Sequence, residues 1–162
     1  IAAGGDGTLN EVVNGLMSVA YNKRPDLAVI PMGTANDFAS SCNISEFPLE
    51  ALRLAIEAKS TPIDIVQAND RYFINVATGG IGAEITAQTP TELKNFLGGG
   101  AYTLSAVLKA LNFTKNSGTL VGDGIDISGN YIAAAICNGR QAGGGQILAP
   151  NAYINDGVFD IV

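Results

Sequence analysis

The run Gly4-Gly5-Asp6-Gly7-Thr8, followed at once by a helical pattern, constrains this chain more than any other feature. Three glycines in four positions let the backbone turn tightly and bring bare N–H groups against an anion. Leu9, Val12, Val13, Leu16 and Met17 recur at i, i+3, i+4, i+7 and i+8, which predicts an amphipathic helix with one buried stripe. Thr8 and Glu11 have the Thr-x-x-Glu spacing of a capping box, so the helix is expected to start at the loop. A helix N-terminus behind a glycine loop favours negative charge through its free N–H groups and its dipole. The same residues also suit a plain strand-to-helix turn with no ligand.

A second loop repeats the chemistry. Leu27-Ala28-Val29-Ile30 is a short apolar run of the kind found in buried parallel strands, and it leads into Pro31-Met32-Gly33-Thr34-Ala35-Asn36-Asp37-Phe38. In an open α/β sheet, loops at the carboxyl ends of strands line the ligand crevice. Two such loops would gather Asp6, Thr8, Thr34, Asn36 and Asp37. Asn and Asp also favour turns for local reasons, an account that covers one loop more easily than both.

Charge and composition narrow the class. The 162 residues are 47% apolar and 15% charged, ample for a core. A net charge of −6 argues against a nucleic-acid partner and against simple electrostatic docking on anionic lipid. No apolar run reaches the roughly 18 residues that span a bilayer, and no signal-peptide pattern is present. The sequence contains no histidine, and Cys42 and Cys137 stand far apart without a CxxC pair. A Cys/His zinc site and a histidine general base are thereby excluded within these residues. The two cysteines read as buried or idle thiols in a reducing cytoplasm.

Residues 4–16 (GGDGTLNEVVNGL) and 31–39 (PMGTANDFA) together resemble the diacylglycerol-kinase catalytic domain. Residues 137–146 (CNGRQAGGGQ) and 150–157 (PNAYINDG) are similar to the YegS-type bacterial lipid kinases. The resemblance covers nearly the whole chain. It implies ATP-dependent phosphoryl transfer to a lipid hydroxyl, of diacylglycerol or phosphatidylglycerol type, at a membrane surface. Gly4, Gly5, Asp6, Gly7, Thr8, Leu9, Asn10 and Thr34 would then hold nucleotide phosphates. Asp6, with Asp37, would organise Mg²⁺ and its waters, and Asn36, Asp37 and Arg140 would face a phosphate or lipid cleft. The resemblance further implies a second metal, Mg²⁺ or Ca²⁺, held by Asp156 and the backbone carbonyls of Tyr153 and Val158. Composition alone makes Asn155-Asp156-Gly157 an ordinary turn. The first loop is not a Walker A, because it lacks the Gly-Lys-Ser/Thr ending. A NAD kinase shares a GGDGT loop, but its second loop does not resemble residues 33–38. A catalytically silent nucleotide-binding regulator is the alternative from another class.

The expected fold is α/β plus β. Residues 1–60 would form part of a nucleotide-binding α/β domain of the NAD-kinase and diacylglycerol-kinase type, and residues 61–162 part of a β-sandwich-like domain. Pro48 opens a predicted helix carrying Leu49, Leu52, Ala55 and Ile56 and ending near Lys59. Ile63 and Ile65, a turn at Asn69-Asp70 and residues 72–76 predict one hairpin; Ser128-Gly129-Asn130 predicts the turn of another. A helix is expected over residues 101–113. Gly79-Gly80-Ile81-Gly82 suits a second anion nest, Gly98-Gly99-Gly100 a link, and Gly122-Asp123-Gly124 a turn. The opening Ile1-Ala2-Ala3 reads as a strand under way and residues 157–162 as a strand unfinished, so an internal fragment is expected. By the resemblance, the Asp or Glu base lies beyond Val162, and these residues alone would be inactive. The expected location is cytoplasmic, peripheral at the inner membrane surface; no feature of the pattern sets an oligomeric state.

Overall fold

The computed structural model describes residues 1–80 and 116–162, except 123 and 132. It divides into two compact units, Ile1–Ala77 with Ile136–Val162, and Thr78–Ala135. The expected helix at 101–113, the Gly98–Gly100 link and part of the Gly79–Gly82 cluster lie outside the described residues.

In the first unit, β1 (Ala2–Gly4) pairs in parallel with β2 (Val29–Pro31), in the register Ala2↔Val29, Ala3↔Ile30 and Gly4↔Pro31. Helix α1 (Asp6–Met17) forms the crossover between them. Its Leu9 and Val13 are buried with Ala2, Val29, Phe38, Ala39 and Ile74, while Val12 and Met17 pack at the edge of this core. The predicted stripe is therefore the face that meets the sheet. The short α2 (Asp37–Ser41) follows the second loop and supplies Phe38 and Ala39.

Helix α3 (Pro48–Glu57) has proline in its first turn, as expected, and packs against β2. Its contact face differs from the predicted one. Ala51 is buried and Leu52 and Ala55 are half-buried, whereas Leu49 is 82% and Ile56 74% exposed. At 100° per residue, positions 51, 52 and 55 share one side, and 49 and 56 point well away from Ala51. The contact face is centred on Ala51, at one flank of the predicted apolar arc, and this leaves Leu49 and Ile56 outside it.

Strands β3 (Val66–Ala68) and β4 (Arg71–Phe73) form an antiparallel hairpin across Asn69-Asp70, with Asn69 at φ 55°. Asn tolerates this left-handed conformation better than most residues. Ile63 and Ile65 precede β3 in irregular chain; they pack at the core edge, and Asp64 N–H donates to Ile154 O at 2.7 Å. Beyond β5 (Val76–Gly80), β8 (Ala133–Cys137) lies inside a three-stranded sheet of order β11-β8-β5, where β11 (Asp160–Ile161) pairs antiparallel with β8.

In the second unit, β6 (Asn116–Gly122) and β7 (Ile125–Tyr131) form one long hairpin. Its turn lies between Gly122 and Ile125, with Gly124 at φ 82°. The expected turn at Ser128-Gly129-Asn130 is corrected: these residues are strand, with Gly129 opposite Gly118 and Ser128 Oγ 3.0 Å from Thr119 Oγ1. A Cβ at Gly118 would stand 2.8 Å from the Tyr131 ring, so this glycine makes room for an aromatic neighbour across the hairpin.

Candidate phosphate-binding site

The two predicted loops leave the same, carboxyl end of the β1–β2 pair. Met32 N–H donates to Gly4 O at 2.9 Å, which extends the parallel ladder to the loop mouths. Gly5 is the residue before the helix, in extended conformation, and no side chain caps it. The first helical bond runs from Leu9 N–H to Gly5 O at 3.0 Å. The N–H groups of Asp6, Gly7 and Thr8 thus take no protein acceptor among the described residues, as expected for a first helical turn without a cap. The predicted capping box does not form. Thr8 lies inside the helix with its side chain folded over Gly4, where a Cβ would stand 2.6 Å from Thr8 Oγ1. Glu11 instead reaches the guanidinium of Arg71 at 2.6 Å, a pair exposed on both sides. The helix starts two residues before the cap position because Gly5 adopts the extended geometry that a cap requires without needing a side chain.

The second loop closes on itself. Asn36 sits at φ 52°; its Oδ1 accepts from Gly33 N–H and its Nδ2 donates to Gly33 O, each at 2.8 Å. Asp6 then joins the loops. Its Oδ2 accepts from Asp37 N–H and its Oδ1 from Phe38 N–H, both at 3.1 Å, so the carboxylate sits at the start of α2. Gly5 and Gly33 meet backbone to backbone. Thr34 is on the exposed rim of this loop, and Asn10 is half-buried one turn into α1.

The glycine-rich segment after Asn138 reaches the same place. Residues 143–145 link β9 (Gln141–Ala142) and β10 (Gln146–Ile147), an antiparallel pair. Gly144 N–H donates to Asp37 Oδ2 at 2.9 Å and Gly145 N–H to Asp37 Oδ1 at 2.7 Å. Arg140 is occupied with its own segment. Its Nε donates to Ala152 O at 3.1 Å, and its guanidinium lies 5.0 Å from the centre of the Tyr153 ring.

Residues 1–68 match the model of the diacylglycerol kinase catalytic domain, and residues 75–162 match the YegS C-terminal NAD kinase beta sandwich-like domain. The chain belongs to the diacylglycerol-kinase catalytic family, in its YegS-like form. A Shewanella frigidimarina protein named "Probable lipid kinase YegS-like" is 54% identical over 99% of this chain and 52% of its own length. A protein of the same name from Chromohalobacter salexigens is 48% identical over 100% of this chain and 52% of its own. The chain thus spans about half the length of the curated relatives it matches. A solved diacylglycerol kinase from Bacillus anthracis strain Sterne is 30% identical, with a TM-score of 0.74 over 98% of this chain and 51% of that one. The α/β plus β-sandwich-like fold class is that of the family.

In this YegS-like chain, Asp156 lies in an exposed turn. Its Oδ1 accepts from Val158 N–H at 3.2 Å, the geometry of an Asx turn, as composition alone predicts. Its Oδ2 and the carbonyls of Tyr153 and Val158 accept no protein hydrogen bond among the described residues. One carboxylate and two carbonyls are hard oxygen donors, a set that fits Mg²⁺ or Ca²⁺. No group of three His, Cys, Asp or Glu side chains gathers among the described residues. Among them, also, no helix is long and apolar enough to cross a membrane.

Four further residues hold the site's frame and were not singled out from the sequence. Asn14 Nδ2 donates to Tyr72 O at 2.8 Å and its Oδ1 accepts from Tyr72 N–H at 2.9 Å, so an α1 side chain completes the edge of β4. Asn138, 1% exposed, donates to the carbonyls of Asp64 and Ile74 at 3.0 and 2.8 Å. Asn75 O accepts from Asn138 N–H and Gly139 N–H at 2.8 and 3.0 Å. Asp64 Oδ2 accepts from Gly157 N–H at 2.7 Å and steadies the turn that carries Asp156. An asparagine within an apolar helical stripe, such as Asn14 between Val13 and Leu16, is the one local signal that would have marked such a role.

Proposed function

We propose that this chain carries the nucleotide-binding core of an ATP-dependent lipid kinase, acting on a lipid hydroxyl of the diacylglycerol or phosphatidylglycerol type. The observation that carries the reading is the uncapped first turn of α1: three outward N–H groups behind a glycine loop, braced by a second glycine loop. Such a turn offers fixed partial positive charge to phosphate oxygens. Gly4, Gly5, Gly7 and Thr8 would cradle the phosphates through backbone and hydroxyl, with Leu9 and Asn10 in the following turn and Thr34 on the opposite rim.

Phosphoryl transfer rests on positioning and charge neutralisation, and a divalent ion bound with the nucleotide supplies the latter. Asp6, half-buried and already accepting protein N–H donors on both oxygens, would reach such an ion through water, whereas the buried Asp37 spends both oxygens on the Gly144 and Gly145 N–H groups. Asp156, Tyr153 and Val158 would hold a separate Mg²⁺ or Ca²⁺. In this reading the general base lies outside these residues and the lipid is met at the inner membrane surface by a cytoplasmic enzyme.

The test is transfer of labelled γ-phosphate from ATP by the full-length protein to diacylglycerol and phosphatidylglycerol in mixed micelles. Labelled lipid is the expected product. ATP binding without transfer to any lipid would favour the silent regulator, and phosphorylation of NAD in place of lipid would favour a NAD kinase.

A further inference from the structure

Asp37 is 3% exposed, yet among the described residues it belongs to no ion pair. Its two oxygens face Gly144 N–H and Gly145 N–H, with Gln141 Nε2 at 3.5 Å. Gly143, Gly144 and Gly145 have φ of 69°, 85° and 91°, a run that L side chains rarely adopt. Consecutive left-handed residues turn successive N–H groups toward one concavity, an anion nest. Here the nest is filled by the protein's own carboxylate. The backbone N–H of the same Asp37 is one of the two that Asp6 accepts. Two carboxylates therefore link three segments in series: the first loop through Asp6, the start of α2, and the β9–β10 hairpin through Asp37. The segments are 31 and 107 residues apart in sequence.

We propose that Asp37 is a positioning residue for the nucleotide site, and that its latch on Gly144 and Gly145 fixes the start of α2, and through it Asp6 and the Gly5–Gly33 contact. This role rests on the nucleotide reading of residues 4–10 and deepens it. The latch needs two acceptors. Asparagine at position 37 keeps the shape but turns an NH₂ group against one of the two glycine N–H donors, and it removes the charge that makes both bonds strong.

The test uses the full-length protein and two readouts. Amide exchange at Gly144 and Gly145 reports the latch without any ligand. Kinetics at saturating Mg²⁺ report its consequence, with Asp37→Asn, Gly145→Ala and the double variant compared. Space around Gly145 is open, so alanine there acts through backbone strain alone. The expected results are protected Gly144 and Gly145 amides in wild type and faster exchange in Asp37→Asn. That variant should raise the KM for ATP about tenfold, the scale of one lost hydrogen bond, while kcat stays within about threefold. Gly145→Ala should do the same, and the double variant should be no worse than the stronger single. Unprotected glycine amides in wild type would overturn the latch. A fall in kcat with unchanged KM, or single effects that multiply, would overturn the positioning role and put Asp37 on the reacting groups. A wild type with protected glycines that binds no ATP analogue would defeat the nucleotide reading and the positioning role together, leaving a purely structural latch.

Discussion

Gly33 lies with its backbone against that of Gly5, and a Cβ at Gly5 would stand 3.0 Å from Gly33 Cα. A Cβ at Gly33 would meet Gly5 backbone atoms and, at 2.9 Å, Asn36 Oδ1. Neither glycine has a positive φ, so their conservation of space, not their flexibility, holds the loops together. Gly33→Ala is expected to destabilise the fold by about 1–3 kcal/mol through overpacking against backbone that cannot move aside. Gly7 contrasts with it: nothing lies within 4 Å of a Cβ there. Gly7→Ala should keep or slightly raise stability, since alanine favours helix by about 1 kcal/mol over glycine, while weakening nucleotide binding. Denaturant melts and calorimetric ATP titrations of the two variants separate the effects. Equal melts for Gly33→Ala and wild type would contradict the contact.

Asp6→Asn is expected to act on both fold and turnover. The carboxylate accepts from two N–H groups at the start of α2. An amide accepts from one and opposes the other, at a cost of about 1–3 kcal/mol. Turnover should fall by orders of magnitude in the full-length protein, because the same carboxylate fixes the second loop and would order the ion's waters. Melting curves and kcat at saturating Mg²⁺ and ATP give the comparison. A lowered melt with normal kcat would leave Asp6 with a purely structural role.

Burial pushes the Cys42 thiol up to about 11 from an ordinary 9.0. Burial also raises Cys137, with a smaller push from Asp160 across the β8–β11 pair. A raised pKa in the folded state means that the folded protein holds its proton where the unfolded chain has released it. Cys42 therefore contributes stability that is complete below about pH 9 and is lost as pH rises toward 11. The stability of wild type should fall relative to Cys42→Ala across that window. Iodoacetamide at pH 8 should leave the buried Cys137 unlabelled until the protein is unfolded, and should label the half-buried Cys42, whose thiol stays protonated at that pH, only slowly. Rapid labelling of the native protein would refute the burial.

Asp156→Ala should abolish a Mg²⁺-induced rise in melting temperature while leaving ATP affinity unchanged. The aspartate sits in an exposed turn, and a ligand stabilises only the state that binds it. Without Mg²⁺ the two proteins should melt within about 0.5 kcal/mol of each other, since a surface substitution removes only one Asx-turn bond. Equal Mg²⁺ shifts in wild type and variant would assign Asp156 to the turn alone.

The sequence by itself determined what depends on neighbours a few residues apart. The stripe Leu9, Val12, Val13 and Met17 set which face of α1 meets the sheet, proline opened α3, and Asn69-Asp70 placed the β3–β4 turn. These features follow from helical and strand periodicity and from backbone preferences, all of which are local. The two glycine loops were also legible as a pair, and their residues carried the family. The tertiary structure alone decided which group satisfies which. Glu11 has capping-box spacing yet pairs with Arg71, and Leu49 and Ile56 remain outside because α3 meets β2 through Ala51. Asp6 and Asp37, alike as loop carboxylates in sequence, take different donors: the start of α2 for one, the Gly144-Gly145 nest for the other. A buried carboxylate must find donors to offset its lost hydration, and those donors come from whatever segment the fold brings within reach. For Asp37 that segment is 107 residues away, a distance over which no local pattern carries information.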